Sequence, residues 1–141
     1  MKNYYTKMKL PEPLVPALQA LSLLKGQTAL VTGANSGIGR AIAVSLGRAG
    51  ANVVVNYVVK PEEAEAVVGE IQGGGGHATA IRADVGDEAQ VVAMFAEAVK
   101  AFGTVDILVS NAGMERNAPF HEMTTAQWDA VMNVNLRGAF L

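Results

Sequence analysis

The chain has no cysteine in its 141 residues. This excludes disulfides, thiolate metal centres and a cysteine nucleophile, and it fits a cytoplasmic enzyme. The two histidines, His77 and His121, stand far apart, so metal ligation is not expected. Neither sign of charge dominates: the formal net charge is −2, which offers no electrostatic footprint to nucleic acid or to an anionic membrane. No uninterrupted apolar run reaches the ~18 residues that a membrane span requires. The stretch 14–24, preceded by Lys2, Lys7 and Lys9, is interrupted by Pro16 and Gln19. With no small-residue cleavage site after it, it does not read as a secretory signal. Residues 1–23 are expected to form an irregular arm that packs on the domain or on a sister subunit. Residues 24–141 are expected to form one α/β domain, because half the chain is hydrophobic and that length buries most of its apolar surface.

What the chain does have is glycine at informative places. The run Val31-Thr32-Gly33-Ala34-Asn35-Ser36-Gly37-Ile38-Gly39 follows the apolar Thr28-Ala29-Leu30-Val31 and opens a periodic segment over 40–48. This order reads as strand, tight turn and helix. Glycine permits a sharp turn with positive φ and lets a ligand approach backbone with no Cβ between them. The N–H groups of a helix starting near Ser36, with its dipole, favour an anion such as a pyrophosphate. The spacing is T-G-x-x-x-G-I-G and not the commoner G-x-G-x-x-G, so context must support it. Ile38, Ala41, Ile42 and Leu46 recur at helical spacing, and Val53-Val54-Val55 supplies a second strand. Together these make a βαβ unit and a dinucleotide site in outline.

With the residues that follow, this octet resembles the short-chain dehydrogenase/reductase family over about residues 24–141. Asn56-Tyr57 and Glu115 make it look closest to the glucose 1-dehydrogenase branch. The resemblance implies a Rossmann-type doubly wound parallel sheet, here of four strands in the order 3-2-1-4, with NADP or NAD as cofactor. It implies cofactor contact along Thr32, Gly33, Asn35, Ser36, Gly37, Ile38 and Gly39. It also implies a small-molecule substrate and a homo-oligomeric full-length protein, dimer or tetramer.

A second strand is expected at 51–57. The dinucleotide fold places ribose selection at its end, where an acid about 20 residues past the glycines would repel a 2′-phosphate. This chain has Asn56 and Tyr57 there, with Lys60 as the nearest cation, so NADP is permitted. Val58 stands where the glucose dehydrogenase branch usually has a phosphate-contacting arginine, which leaves the preference between NADP and NAD open. Pro61 opens a helix, and Glu62, Glu63 and Glu65 read as its solvated, dipole-complementing face. A third strand is expected at 78–83, followed by Asp84-Val85; the resemblance implies that the Asp84 carboxylate and the Val85 backbone hold adenine. Asp87 and Gln90 start a helix whose core face is Val91, Phe95, Ala98 and Phe102.

A fourth strand at 105–109 runs into Asn111-Ala112-Gly113, which matches the family's N-A-G and is structural as much as cofactor-contacting. Glu115 matches a glutamate of the branch's substrate loop. Thr124 and Gln127 form a capping box for a helix expected to carry Trp128, Val131 and Met132 inward. That helix runs into Asn133-Val134-Asn135-Leu136, and the resemblance gives Asn135 a catalytic part, through water, with a lysine.

The family's chemistry is hydride transfer between nicotinamide and an alcohol or carbonyl, assisted by serine, tyrosine and lysine, the last two as Y-x-x-x-K. No Y-x-x-x-K occurs here; the tyrosines are Tyr4, Tyr5 and Tyr57. The expectation is therefore an N-terminal fragment, inactive alone, of an oxidoreductase. The alternative is a genuine short protein that binds a nucleotide without catalysis.

Overall fold

The computed structural model describes residues 22–141, so the expected arm lies almost wholly outside the described residues, as do Tyr4 and Tyr5. The described elements begin with β1 (Thr28–Val31), α1 (Gly37–Arg48), β2 (Asn52–Tyr57) and α2 (Pro61–Gly73). They continue with β3 (His77–Arg82), α3 (Glu88–Phe102), β4 (Ile107–Val109) and α4 (Thr125–Met132). A π turn over Asn133–Arg137 then joins α4 to a last short helix, α5 (Gly138–Phe140). The strands form one parallel sheet in the order β3-β2-β1-β4, as the family resemblance implies.

Strand alternation explains the two layers around this sheet. Successive side chains leave a strand on opposite faces. Ala29, Val31, Val53 and Val55 meet the buried Ala43, Val44, Val67 and Ile71 of α1 and α2. Leu30, Val54 and Ile81 point the other way and meet Val91, Met94 and Ala98 of α3. All four residues of β1 are fully buried, which accounts for a continuous apolar run with no polar alternation. The fold is a doubly wound parallel sheet of Rossmann type, with helices on both faces.

Element ends depart from the sequence expectation by a residue or two, and the reasons are local. β4 starts at Ile107, not at 105. Before it, the Asp106 N–H donates to the Thr28 carbonyl and the Asp106 carboxylate accepts from the Thr28 N–H at 2.8 Å. A side chain thus stands in for the backbone acceptor that would have begun the ladder. β3 occupies His77–Arg82, and Ala83 adds one further bond to the Tyr57 carbonyl. At α3 the Asp87 carboxylate caps the Gln90 N–H, as expected. Bonds from the Gln90 side chain and backbone hold the Asp87 carboxyl below its ordinary range.

In α1 only Gly39, Ala43, Val44 and Gly47 are buried, and Ile38 is 76% exposed. One expectation about facing is corrected. Trp128 is 56% exposed and no residue of α4 is buried. The capping box of Thr124 and Gln127 forms, but this helix buries no residue in a core layer, and its continuation meets the α3 layer through Leu141. Asn133 and Arg137 both donate to the Gly86 carbonyl, at 3.3 and 2.6 Å. Asp129, Met132, Asn133, Leu136, Arg137 and Phe140 line an open groove of about 840 Å³ along this segment. Its apolar side chains face outward.

The centre and the edge of the sheet should respond differently to truncation. Leu30→Ala empties a fully buried position and should cost about 2–5 kcal/mol. Leu108→Ala, at an edge-strand side chain that is 55% exposed, should stay within ~0.5 kcal/mol in the 141-residue chain. Urea unfolding of both variants checks this, and equal losses would misplace the core.

Candidate dinucleotide-binding site

In a parallel sheet of this kind ligands bind beyond the carboxyl ends of the strands, where the strand order reverses. Here that place lies between β1 and β4, and the segments leaving both strands meet there. Gly33 and Gly37 have φ of +60° and +55°, which only glycine adopts without strain. A Cβ on Gly33 would come within 3.1 Å of the Ala112 Cα. A Cβ on Gly39 would overlap the Gly33 carbonyl and stand 2.5 Å from the Asn111 amide nitrogen. At Gly37 a Cβ would meet nothing within 4 Å. Two of the three glycines therefore let the turn close on its neighbours, and the third leaves space open at the mouth.

Side chains hold the turn in shape. The Thr32 hydroxyl donates to the Val109 carbonyl and accepts from the Asn111 and Ala112 N–H groups, both at 2.9 Å. The Asn111 amide donates to the Thr32 and Gly33 carbonyls at 2.8 and 3.2 Å. Asn56, 1% exposed, accepts from the Gly33 N–H at 3.1 Å and donates to the Ile81 and Ala83 carbonyls at 3.3 and 3.0 Å. Thr32, Asn56 and Asn111 are thus tied into the backbone at the ends of all four strands. Asn56, expected at the ribose, has both amide protons on carbonyls of the β3 end, and Tyr57 and Lys60 extend further toward solvent.

The start of α1 differs from those of the other long helices. α3 and α4 are capped by Asp87 and Thr124 side chains, and α2 carries Glu62 and Glu63 in its first turn. Ser36 sits at the N-cap of α1 with no side-chain capping bond, and no acid lies in the first turn. The first N–H groups of a helix lack intrahelical acceptors. Those of α1 face the glycine turn beside exposed Ser36, Gly37 and Ile38, which suits a phosphate group.

The remaining predicted residues frame this mouth. Asp84 is partly buried and accepts from the Gly86 N–H at 2.8 Å, and its own N–H donates to the Gln90 side chain at 3.0 Å. Val85 is buried under Gly138. The Asn135 amide forms a two-point bracket on the Met114 backbone, accepting from its N–H at 2.8 Å and donating to its carbonyl at 2.9 Å. It pins the end of the Asn111–Gly113 segment to the π turn. Glu115 is exposed just beyond.

Lys60 is the single non-glycine residue with positive φ, +61°, among the described residues. Its ammonium lies 2.6 Å from the Glu63 carboxylate. That hydrogen bond, reinforced by the charge of Glu63, holds Lys60 above the ordinary lysine range. The other oxygen of Glu63 accepts from Asn35 at 3.3 Å. Sequence reasoning placed Glu63 on a solvated face. Its spacing of three residues from Lys60, one helical turn past the β2 end, was the available signal.

The chain belongs to the short chain dehydrogenase family, whose model matches residues 27–141. Among curated relatives it is 48% identical over 117 residues to the short chain dehydrogenase claC of Passalora fulva. It is also 48% identical over 114 residues to the 3-oxoacyl-[acyl-carrier-protein] reductase FabG of Staphylococcus aureus. These alignments cover 83% and 81% of this chain but 44% and 46% of the relatives, so the chain spans less than half their length. Among solved structures, a dehydrogenase/reductase from Sinorhizobium meliloti 1021 superposes with a TM-score of 0.83 at 47% identity, covering 86% of this chain and 48% of that one. A short chain dehydrogenase from Burkholderia cenocepacia J2315 in complex with NADP gives 0.81 at 42% identity, covering 84% and 48%.

Asn111→Ala should remove two donors from carbonyls that have left the strand ladder. A loss of about 1–3 kcal/mol is expected. Chemical denaturation measures it, and a neutral result would show that the turn holds its shape without this amide.

Proposed function

We propose that this chain binds a nicotinamide dinucleotide, NADP or NAD, and forms the cofactor-holding part of an oxidoreductase that moves hydride between nicotinamide and an alcohol or carbonyl. The observation that carries the reading is the start of α1: a glycine turn with an open mouth at Gly37, no capping side chain and no acid in the first turn. The backbone N–H groups there receive the pyrophosphate. Asp84 and Val85 flank the adenine, Tyr57 and Lys60 stand on the ribose side, and Ala112 and Gly113 leave room for the second half of the cofactor. The NADP complex of the Burkholderia cenocepacia relative supports this cofactor class.

A sugar or polyol substrate rests on Glu115, exposed beside the N-A-G segment. A homo-oligomer is supported by Leu136 of the π turn and Phe140 of α5, 62% and 86% exposed. A cytoplasmic location completes the reading; among the described residues no helix is long and apolar enough to cross a membrane. When bound, the dinucleotide supplies the hydride acceptor or donor. Proton transfer to or from the substrate oxygen needs a group of suitable pKa within hydrogen-bond reach. Asn135 does not supply one, because its amide does not titrate and both its ends are engaged with Met114.

Two outcomes follow. NADP or NAD at a hundredfold excess over Kd should stabilise the protein by about 2.7 kcal/mol in thermal unfolding. Gly37→Val, which fills the open mouth and strains the left-handed backbone there by about 1–3 kcal/mol, should abolish the shift while circular dichroism shows the sheet and helices retained; an unchanged shift would remove the glycine turn from the site. Separately, the purified 141-residue chain should show no turnover with either cofactor and glucose. Turnover abolished by Asn135→Ala would relocate the catalytic machinery.

A further inference from the structure

Ribose selection in this fold is expected at the end of β2, where the chain itself carries no acid between Asn56 and Lys60. The structure nevertheless brings a carboxylate to that place from the next helix. Glu63 bridges Lys60, at 2.6 Å, and Asn35 of the glycine turn, at 3.3 Å. It lines a groove of about 330 Å³ together with Asn35, Ser36, Gly37, Arg40 and Ala66. The groove thus runs between the start of α1 and the first turns of α2, and Lys60 is tied to it through Glu63. Asn35 also donates to the Val59 carbonyl, so the loop after β2 is fastened to the turn through the same side chain. Lys60 holds its left-handed backbone at the centre of this arrangement. Such a conformation costs of order 1–3 kcal/mol in a non-glycine residue and collects at ligand clamps.

The cations bordering this groove are each matched by an acid. Arg40 is paired with Glu70 at 2.8 Å, and Lys60 is paired with Glu63. A 2′-phosphate arriving at the ribose side would therefore meet a neutral ion pair and not an uncompensated ammonium. A ribose 2′-hydroxyl makes no such demand.

We infer that Glu63 sets the choice between NADP and NAD at this site by holding the Lys60 ammonium away from a 2′-phosphate, doing from α2 what an acid at the end of β2 would do. This inference rests on the dinucleotide reading above. Glu63 is a positioning residue: it acts through Lys60 and touches neither reacting atom. Both partners are partly solvent-exposed, with side-chain exposures of 59% and 35%, so the effect is bounded by what an exposed pair contributes.

The test uses 2′,5′-ADP and 5′-AMP as probes, titrated calorimetrically into the wild-type protein and into Glu63→Gln, Lys60→Ala and the double variant. Glu63→Gln should tighten 2′,5′-ADP by about fivefold, the ratio corresponding to the ~1 kcal/mol upper range of exposed ion pairs. Binding of 5′-AMP should stay within about twofold. In the Lys60→Ala background the gain should vanish, and raising the salt concentration should shrink it in the single variant. An unchanged ratio of the two probes in Glu63→Gln, or a gain that survives Lys60→Ala, overturns the inference while leaving the dinucleotide site standing. Failure of the wild-type protein to bind either probe overturns the dinucleotide reading and this inference with it.

Discussion

Strand pairing stops where β1 ends, and the carbonyls of Thr32 and Gly33 leave the ladder at the point where the turn must keep its shape. The amide of Asn111 replaces the missing strand partner, and the hydroxyl of Thr32 answers from the other side. Asn56 does the same between the turn and β3. A buried polar group without a partner costs about 1–3 kcal/mol, so three short side chains acting as backbone surrogates decide whether a glycine-rich turn is rigid or loose. The mouth at Gly37, the start of α1 and the position of Ala112 all depend on that answer.

The strands and helices were legible because their periodicities are strong where both faces are buried, and the order of the strands followed from the family resemblance. Leu30, Val54 and the valines of β2 could belong to little else. The glycine turn was legible because the residues that permit it are few. Asn56 was misleading: its place in the chain pointed to ribose, whereas its side chain completes the backbone bonding of two strands. Periodicity also misled at Trp128, since an apolar residue at helical spacing says that a face is apolar, not what lies against it. Glu63 was hidden for a related reason. An acid in the first turn of a helix is fully explained by the dipole, and only the fold shows that this turn returns to Asn35.

The helix starts divide by the same electrostatics. α2, α3 and α4 satisfy their first N–H groups or complement their dipole with their own side chains. α1 does neither, yet it begins at a junction where Thr32, Asn56 and Asn111 bond the turn to its neighbours. On the function proposed above, a helix end left open where so many other polar groups are matched is a receptor surface shaped in advance of its ligand. A phosphate entering there has little backbone to rearrange, and the ordering cost of binding is correspondingly small.

The π turn at Asn133–Arg137 carries a consequence for motion. The segment from α4 onward is fastened to the rest of the molecule by the Asn135 bracket on Met114, the Asn133 and Arg137 bonds to Gly86, the Arg137–Glu88 ion pair, Gly138 over Val85, and Leu141 against the α3 layer. These fastenings act on two loops, one at Gly86 after β3 and one at Met114 after β4. The terminal helix therefore works as a strut: when it lifts, the loops at Gly86 and Met114 slacken together, while the sheet beneath keeps its own, higher opening energy. Amide exchange in those two loops would be synchronised although 28 positions of sequence separate Gly86 from Met114.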